Sequence, residues 1–348
     1  MHNHLSIKTT RAGAPSQCFN FSGNAIKKYT PGSMSLKSRL SIISAIPCKS
    51  RLSNRKSSSS SLPPFYTPNY TFMFGTHLFL HNTITFPSKL MVELKPFKAT
   101  ILNPEIVNRA ELVCPVYDSI DASQYEHYAA WKDNVIHVTT RREGVAESEF
   151  VAYAKRILER FFTDRILIER AKPSLYIYGV RYRVPEEIIE QIPEEERREI
   201  YFAFGLVALV KVDKLNGDTI LGHERTFEAK TQERYHLMKA CGMNFSPILA
   251  EYTMPDHAIN RMFEDYLGFC RPSLRIDEQR KPLVDFVLRG ARHLLWELSD
   301  EAIIAKIQQL MRDKKILILD GHHRYTAAYR LSSDQEEGTA YTLMMLVE

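Results

Sequence analysis

The chain has 348 residues, 44% hydrophobic and 25% charged, the balance of a soluble globular protein with room for one large domain or two ordinary ones. Its net charge of +5 averages two unlike stretches: residues 1–90 hold 11 Lys/Arg and no Asp or Glu, leaving 35 basic and 41 acidic residues in 91–348. A net-acidic body argues against specific nucleic-acid binding, and no apolar run approaches the ~20 residues of a membrane span.

Residues 1–90 contain 16 Ser and 8 Thr, with no sustained helical or strand periodicity. Basic, acid-free and Ser-rich, they have the composition of an organelle transit peptide. A second reading is upstream sequence joined to a later start at Met91-Val92-Glu93-Leu94. Either way disorder is expected, because little apolar surface offsets chain entropy. The opening Met1-His2-Asn3-His4 lacks the layout of a secretory signal. Five cysteines, at 18, 48, 114, 241 and 270, form no Cys-x-x-Cys pair, which fits a reducing compartment rather than a disulfide framework or zinc site.

From Met91 the texture changes. Leu94–Leu102 reads as strand and loop ending at Pro104, and Glu147–Phe162 as an amphipathic helix with Phe150, Tyr153, Ala154, Ile157, Leu158 and Phe161 on one face. Leu175–Tyr178 and Tyr201–Val212 are β-type runs, separated by a glutamate-rich insert at 185–199 expected as an exposed helical excursion. Asn216-Gly217 marks a turn. Arg234–Cys241 then reads as helix, Pro247–Tyr252 and His293–Leu298 as strands. A helix capped by Ser299 follows, with Ile303, Ile304, Ile307, Leu310 and Met311 on its apolar face. Ile316–Leu319 is a buried strand, Tyr325–Leu331 a helix and Tyr341–Val347 a strand. The mix is α/β (α+β), without an internal repeat.

Two segments carry candidate chemistry. In Ile316–Ala328 a buried strand ends in Asp320-Gly321, and His322, His323 and Arg324 open a helix. That layout presents backbone N–H groups to an anion, and Arg324 offers a fork for phosphate oxygens. The plainer reading makes Asp320 the helix cap and the histidines surface residues. The second segment, Gly222-His223-Glu224-Arg225-Thr226, places a carboxylate among donors, as a general base requires. Its plainer reading is an exposed turn, with Lys230 and Arg234 extending a solvated cationic face. No G-x-G-x-x-G or P-loop pattern occurs, and Cys114-Pro115-Val116-Tyr117-Asp118 reads as a tight turn with a buried thiol rather than a nucleophile.

The pair His-Glu-Arg-Thr (223–226) and Asp-Gly-His-His-Arg-Tyr (320–325) resembles the bacterial and archaeal domain-of-unknown-function family ten-fifteen. Val92–Pro104, Pro115-Val116-Tyr117-Asp118 and Ser246-Pro247-Ile248 are further family-like features, so the resemblance covers 91–348 and none of 1–90. It implies a ParB/sulfiredoxin-like mixed sheet with flanking helices, with free L-serine kinases, one of them archaeal and ADP-dependent, as nearest enzymatic relatives. Carried over, it implies Glu224 as base with His223 beside it. Gly321, His322, His323 and Arg324 would hold phosphate, helped by Arg225 and Thr226, and Asp320 would position Mg²⁺ or a catalytic water. His322 stands where sulfiredoxins carry their catalytic cysteine, which excludes peroxide repair, and no basic helix-turn-helix of ParB type follows Arg324. The stretch between the motifs is longer than in ParB or the kinases. Family members continue past the position of Glu348, so a missing C-terminal part is expected.

The expected function is therefore nucleotide-dependent phosphotransfer, with ADP, ATP or another nucleotide and Mg²⁺, to a small hydroxylated metabolite such as free serine. The expected compartment is the cytoplasm, or an organelle if residues 1–90 are a genuine transit peptide. One alternative is a ParB-like nucleotide switch without metabolite turnover. Another is nucleic-acid binding through residues 1–90 alone.

Overall fold

The computed structural model describes residues 91–348 apart from 107, 108, 193, 195, 196, 272 and 335–337. Residues 1–90, with the expected transit or upstream segment, lie outside the described residues. The chain enters through β1 (Leu94–Lys95) and β2 (Thr100–Leu102). α1 (Ala122–Ala129) begins in a capping box: the Asp121 carboxylate accepts from Gln124 N–H while the Gln124 side chain accepts from Asp121 N–H. A single turn, α2 (Ile136–Thr139), leads to the expected amphipathic helix α3 (Glu147–Thr163), which buries Phe150, Ala154, Leu158 and Phe161.

β3 (Leu167–Glu169) pairs with β2 in a small antiparallel ribbon. β4 (Leu175–Tyr182) and β5 (Tyr201–Lys211) are antiparallel neighbours, and the glutamate-rich insert is their connection. It carries the one-turn helix α4 (Glu186–Ile189) and is anchored by Ile192 packing with Tyr182 and Tyr201. β6 (Ile220–Leu221), α5 (Glu228–Cys241), β7 (Ile248–Glu251) and α6 (Ala258–Leu267) follow. The chain then forms β8 (Val284–Leu288), β9 (Ala291–Leu298), α7 (Glu301–Met311), β10 (Ile316–Asp320), α8 (His322–Ser333) and β11 (Tyr341–Val347). The cap of α7 is Asp300, not Ser299: its carboxylate accepts from Ile303 N–H at 3.0 Å.

The main sheet is mixed and runs β6-β10-β7-β11-β5-β4-β9-β8, with β1 also pairing β5. β10 is parallel to β6 and antiparallel to β7, and β11 is parallel to β7; the half from β5 to β8 is antiparallel throughout. α6 and α7 cover one face with Ile259, Phe263, Leu267, Ile304, Ile307 and Met311. Ile316 and Ile318 of β10 join that core, while Leu317 and Leu319 alternate into a second cluster with Leu249 and Val347. Burial on both faces explains why β10 reads as a continuous apolar run. α3 and α5 share a further core, in which Leu237 meets Phe150 and Phe161.

Two local features place the site. The parallel β6–β10 pair aligns Ile220 with Ile316, so both strands end on the same side of the sheet. The segments following them, about a hundred residues apart in sequence, therefore become neighbours. In addition, the β10–β7 register slips between Ile318 and Asp320. Such a bulge re-aims the last side chain of a strand.

Candidate functional site

Gly321 is the residue on which the second segment turns. Its φ is +96°, in the left-handed region, and a Cβ there would lie 2.9 Å from the Arg324 guanidinium. Gly321, rather than Asp320, is the cap of α8, and no side chain caps this helix end. The first intrahelical bond is Tyr325 N–H to Gly321 C=O at 2.9 Å, so the preceding N–H groups of the first turn project from the helix end.

Asp320 instead holds Arg324, through Arg324 Nη2 to Asp320 Oδ2 at 2.7 Å. Arg324 Nη1 donates to Ser246 O at 3.2 Å and to Pro247 O at 2.5 Å. The guanidinium expected to fork toward phosphate is thus buried and tied to two carbonyls and a carboxylate. It locks β10, α8 and the entry to β7 together.

The adjacent histidines turn inward, not to the surface. His322 is fully buried, and its Nε2 accepts from His223 N–H at 3.2 Å. Accepting there leaves the ring proton on Nδ1, which lies 3.4 Å from Glu224 Oε2. His323 Nε2 accepts from Phe227 N–H at 3.0 Å, and its ring stacks on Phe227 at 6.0 Å. Neighbouring helical residues point about 100° apart, so the two imidazoles pin opposite ends of one loop. What either histidine offers an anion is consequently its backbone N–H.

Within that loop Glu224 is 30% exposed at its side chain, Arg225 and His223 are exposed and Thr226 is half-buried. The His223 ring meets the His322 ring edge-on at 4.6 Å. Gly222 leaves little space: a Cβ there would come within 3.1 Å of His322 Cδ2. Glu224 thus faces the imidazole of His322, from the other segment, at 3.4 Å.

Three further residues border the site: Glu251, which the sequence did not single out, Tyr117, noted only within a tight turn, and Arg234, which is buried rather than part of the solvated cationic face expected of it. Glu251, ending β7, is raised above the usual carboxylate range by burial, with His223 pulling the other way. The Tyr117 hydroxyl is pushed up to about 12, chiefly by burial, and feels Arg234, Arg324 and Asp320. Arg234 is buried and spans α5 to Thr139 O at 2.7 Å. Burial also pushes the nearby Cys114 thiol up to about 11, so no thiolate nucleophile forms there at neutral pH.

For Mg²⁺, no group of three or more His, Cys, Asp or Glu side chains converges among the described residues. Asp320 is a single carboxylate whose Oδ2 is taken by Arg324. A lone carboxylate suits Mg²⁺ where phosphate oxygens and water complete the shell.

A family model described as a protein of unknown function, DUF1015, matches residues 94–348. The chain belongs to DUF1015. No curated protein and no solved structure gives a significant match. The DUF1015 region takes in every element of the main sheet, from β1 to β11, and both site segments. No helix among the described residues is long and apolar enough to cross a membrane.

Proposed function

We propose that this DUF1015 chain is a nucleotide-dependent phosphotransferase acting on a small hydroxylated metabolite, with free serine the first candidate, on a ParB/sulfiredoxin-like fold. The observation that carries the reading is the junction of the two segments. Glu224, partly open to solvent, faces His322 Nδ1 at 3.4 Å, while His223 N–H fixes the opposite ring nitrogen. A partly exposed carboxylate beside an imidazole that is itself held in place is suited to act as a general base. Beside it, the N-terminus of α8 offers backbone donors and the positive end of a helix dipole to a phosphoryl group.

In the reaction the acceptor hydroxyl oxygen bonds to the terminal phosphorus of ADP or ATP as the bond to the leaving phosphate oxygen breaks. Glu224 takes the hydroxyl proton. The first-turn N–H groups around Gly321, with exposed Arg225, receive the charge that develops on the transferred group. Asp320, with nucleotide phosphate oxygens, would hold Mg²⁺, which supplies charge neutralisation when bound.

The test is a phosphotransfer screen of ADP and ATP against free amino acids and hydroxy acids. Glu224→Gln, which keeps size and removes the base, is expected to lower kcat by about 10²–10⁴-fold while nucleotide binding persists. A folded chain that binds no nucleotide would falsify the proposal. Slow nucleotide hydrolysis with no phosphorylated product would assign the site to a conformational switch instead.

A further inference from the structure

Phe227, at the end of the Glu224 loop, is 68% exposed although it stands at the N-cap of α5. A side-chain oxygen from Ser, Thr, Asn or Asp at that position would accept from the first turn and stabilise the helix. Phe offers no acceptor, and α5 has no side-chain cap. The position thus keeps a large apolar ring in water where a small polar residue would favour folding. The ring is nevertheless held in place. Phe227 N–H donates to His323 Nε2 at 3.0 Å, and the two rings lie nearly parallel, 13° apart in plane with centroids 6.0 Å from one another.

The surroundings of this aromatic shelf indicate what would use it. His323 is the second residue of α8, so the shelf adjoins the first-turn N–H groups assigned to phosphate. α5 and α8 make further contacts through Glu228 with Arg330 and Tyr235 with Asp334, in the same order along both helices. They therefore run in the same direction and begin side by side, which brings the positive ends of both dipoles to the shelf. An aromatic face beside donors for anionic oxygen suits a molecule that is flat at one end and phosphorylated at the other. Free serine has no flat ring; ADP and ATP do.

We propose that Phe227, set against His323, is the stacking platform for the base of the nucleotide donor. The inference rests on the nucleotide-dependent reading above and deepens it by naming the donor class. Every base has a π-face, so stacking recognises the presence of a base more than its identity. The donors are therefore nucleoside di- and triphosphates with little discrimination among bases.

The experiment uses the full chain and calorimetric titration, in the presence of Mg²⁺, with ADP, GDP, CDP and, as the probe without a base, inorganic pyrophosphate. Phe227→Leu keeps an apolar side chain and loses the ring; it should weaken all three nucleotides by about tenfold and leave pyrophosphate unchanged. Phe227→Trp should hold ADP at least as tightly, with the added tryptophan fluorescence quenched by ADP and not by pyrophosphate. Phe227→Ser exchanges the ring for a capping hydroxyl, so it should weaken ADP as Leu does without lowering Tm.

Equal loss of ADP and pyrophosphate in Phe227→Leu, or unchanged ADP binding, overturns the proposal and leaves the ring to the packing of the loop. Strict selection for one base that persists in Phe227→Leu overturns it as well. The two readings separate in the phosphotransfer assay. Nucleotide binding that depends on Phe227 but yields no phosphorylated product removes the kinase reading and leaves the platform standing. Phosphotransfer by Phe227→Leu with an unchanged KM for ADP removes the platform and leaves the kinase reading.

Discussion

Two histidines on opposite wings of the sheet are held in contrasting ways. On the antiparallel wing, His293 of β9 pairs through Nδ1 with the Tyr178 hydroxyl and stacks on Phe286 at 5.1 Å. Burial holds its pKa below the ordinary histidine value, and its side-chain partners are a phenol and a ring. On the wing where β6 and β10 run parallel, His322 is held by a backbone N–H on one side and faces a carboxylate on the other. A buried imidazole between neutral groups packs a sheet. One fixed by a backbone N–H with its other nitrogen 3.4 Å from a partly exposed carboxylate sets the surroundings of that carboxylate.

The contrast breaks most sharply at His322. His322→Phe keeps a ring of similar shape but removes the nitrogens that hold the His223 backbone and face Glu224, and should lower phosphotransfer by up to about 10²-fold through misplacement of the base. Nucleotide binding should persist, because the phosphate donors lie on α8 and not on the Glu224 loop. A purely structural histidine would change stability and leave kcat in place. His293→Phe should do the latter, and steady-state kinetics on both variants gives the comparison.

Next comes Gly321→Ala. It demands a left-handed backbone from a residue with a Cβ and drives that carbon to 2.9 Å from the Arg324 guanidinium. A loss of about 1–3 kcal/mol in chemical denaturation is expected, together with loss of nucleotide binding. The matching change on the other wing, Gly290→Ala, has left-handed strain but an open surrounding, so it should cost less.

The histidine pair also predicts a pH dependence. The pKa of His293 is lowered in the folded state, so its contribution to stability is present above the ordinary value of 6.5 and is lost as pH falls from there through the lowered folded value. His293→Phe should flatten the fall in Tm on the acid side of pH 6.5. The smallest effect concerns Glu251, whose raised pKa means that its ionisation opposes folding at neutral pH. Glu251→Gln should raise Tm slightly at pH 7, and the gain should vanish near pH 4, where the carboxyl is protonated in both states.

Much of this was legible in the sequence where periodicity was strong. α3 was readable from Phe150, Ala154, Leu158 and Phe161, and β10 from an unbroken apolar run, because burial on one face or on two leaves distinct patterns. β8 and α6 were not readable. Val284–Leu288 is short and half-buried, and Ala258–Leu267 follows a turn with left-handed Asp256 and His257 that sequence does not announce. Within the site, the residue types were visible but not their partners. Glu224 was expected beside His223 and lies against His322, because the partner was decided by the parallel pairing of β6 and β10. Tyr117 and Ser246-Pro247 stood in segments noted as family-like, yet nothing in their spacing placed them around Arg324.

That parallel pairing carries one more consequence. β6 has two residues, lies at the end of the strand order and is the strand from which the Glu224 loop departs. Terminal strands with few ladder bonds open at a fraction of the global unfolding free energy. The β6 end is therefore expected to open locally while β7, β11 and β5 remain paired, which hydrogen exchange would show as weaker protection at Ile220–Leu221 than at Ile248–Glu251.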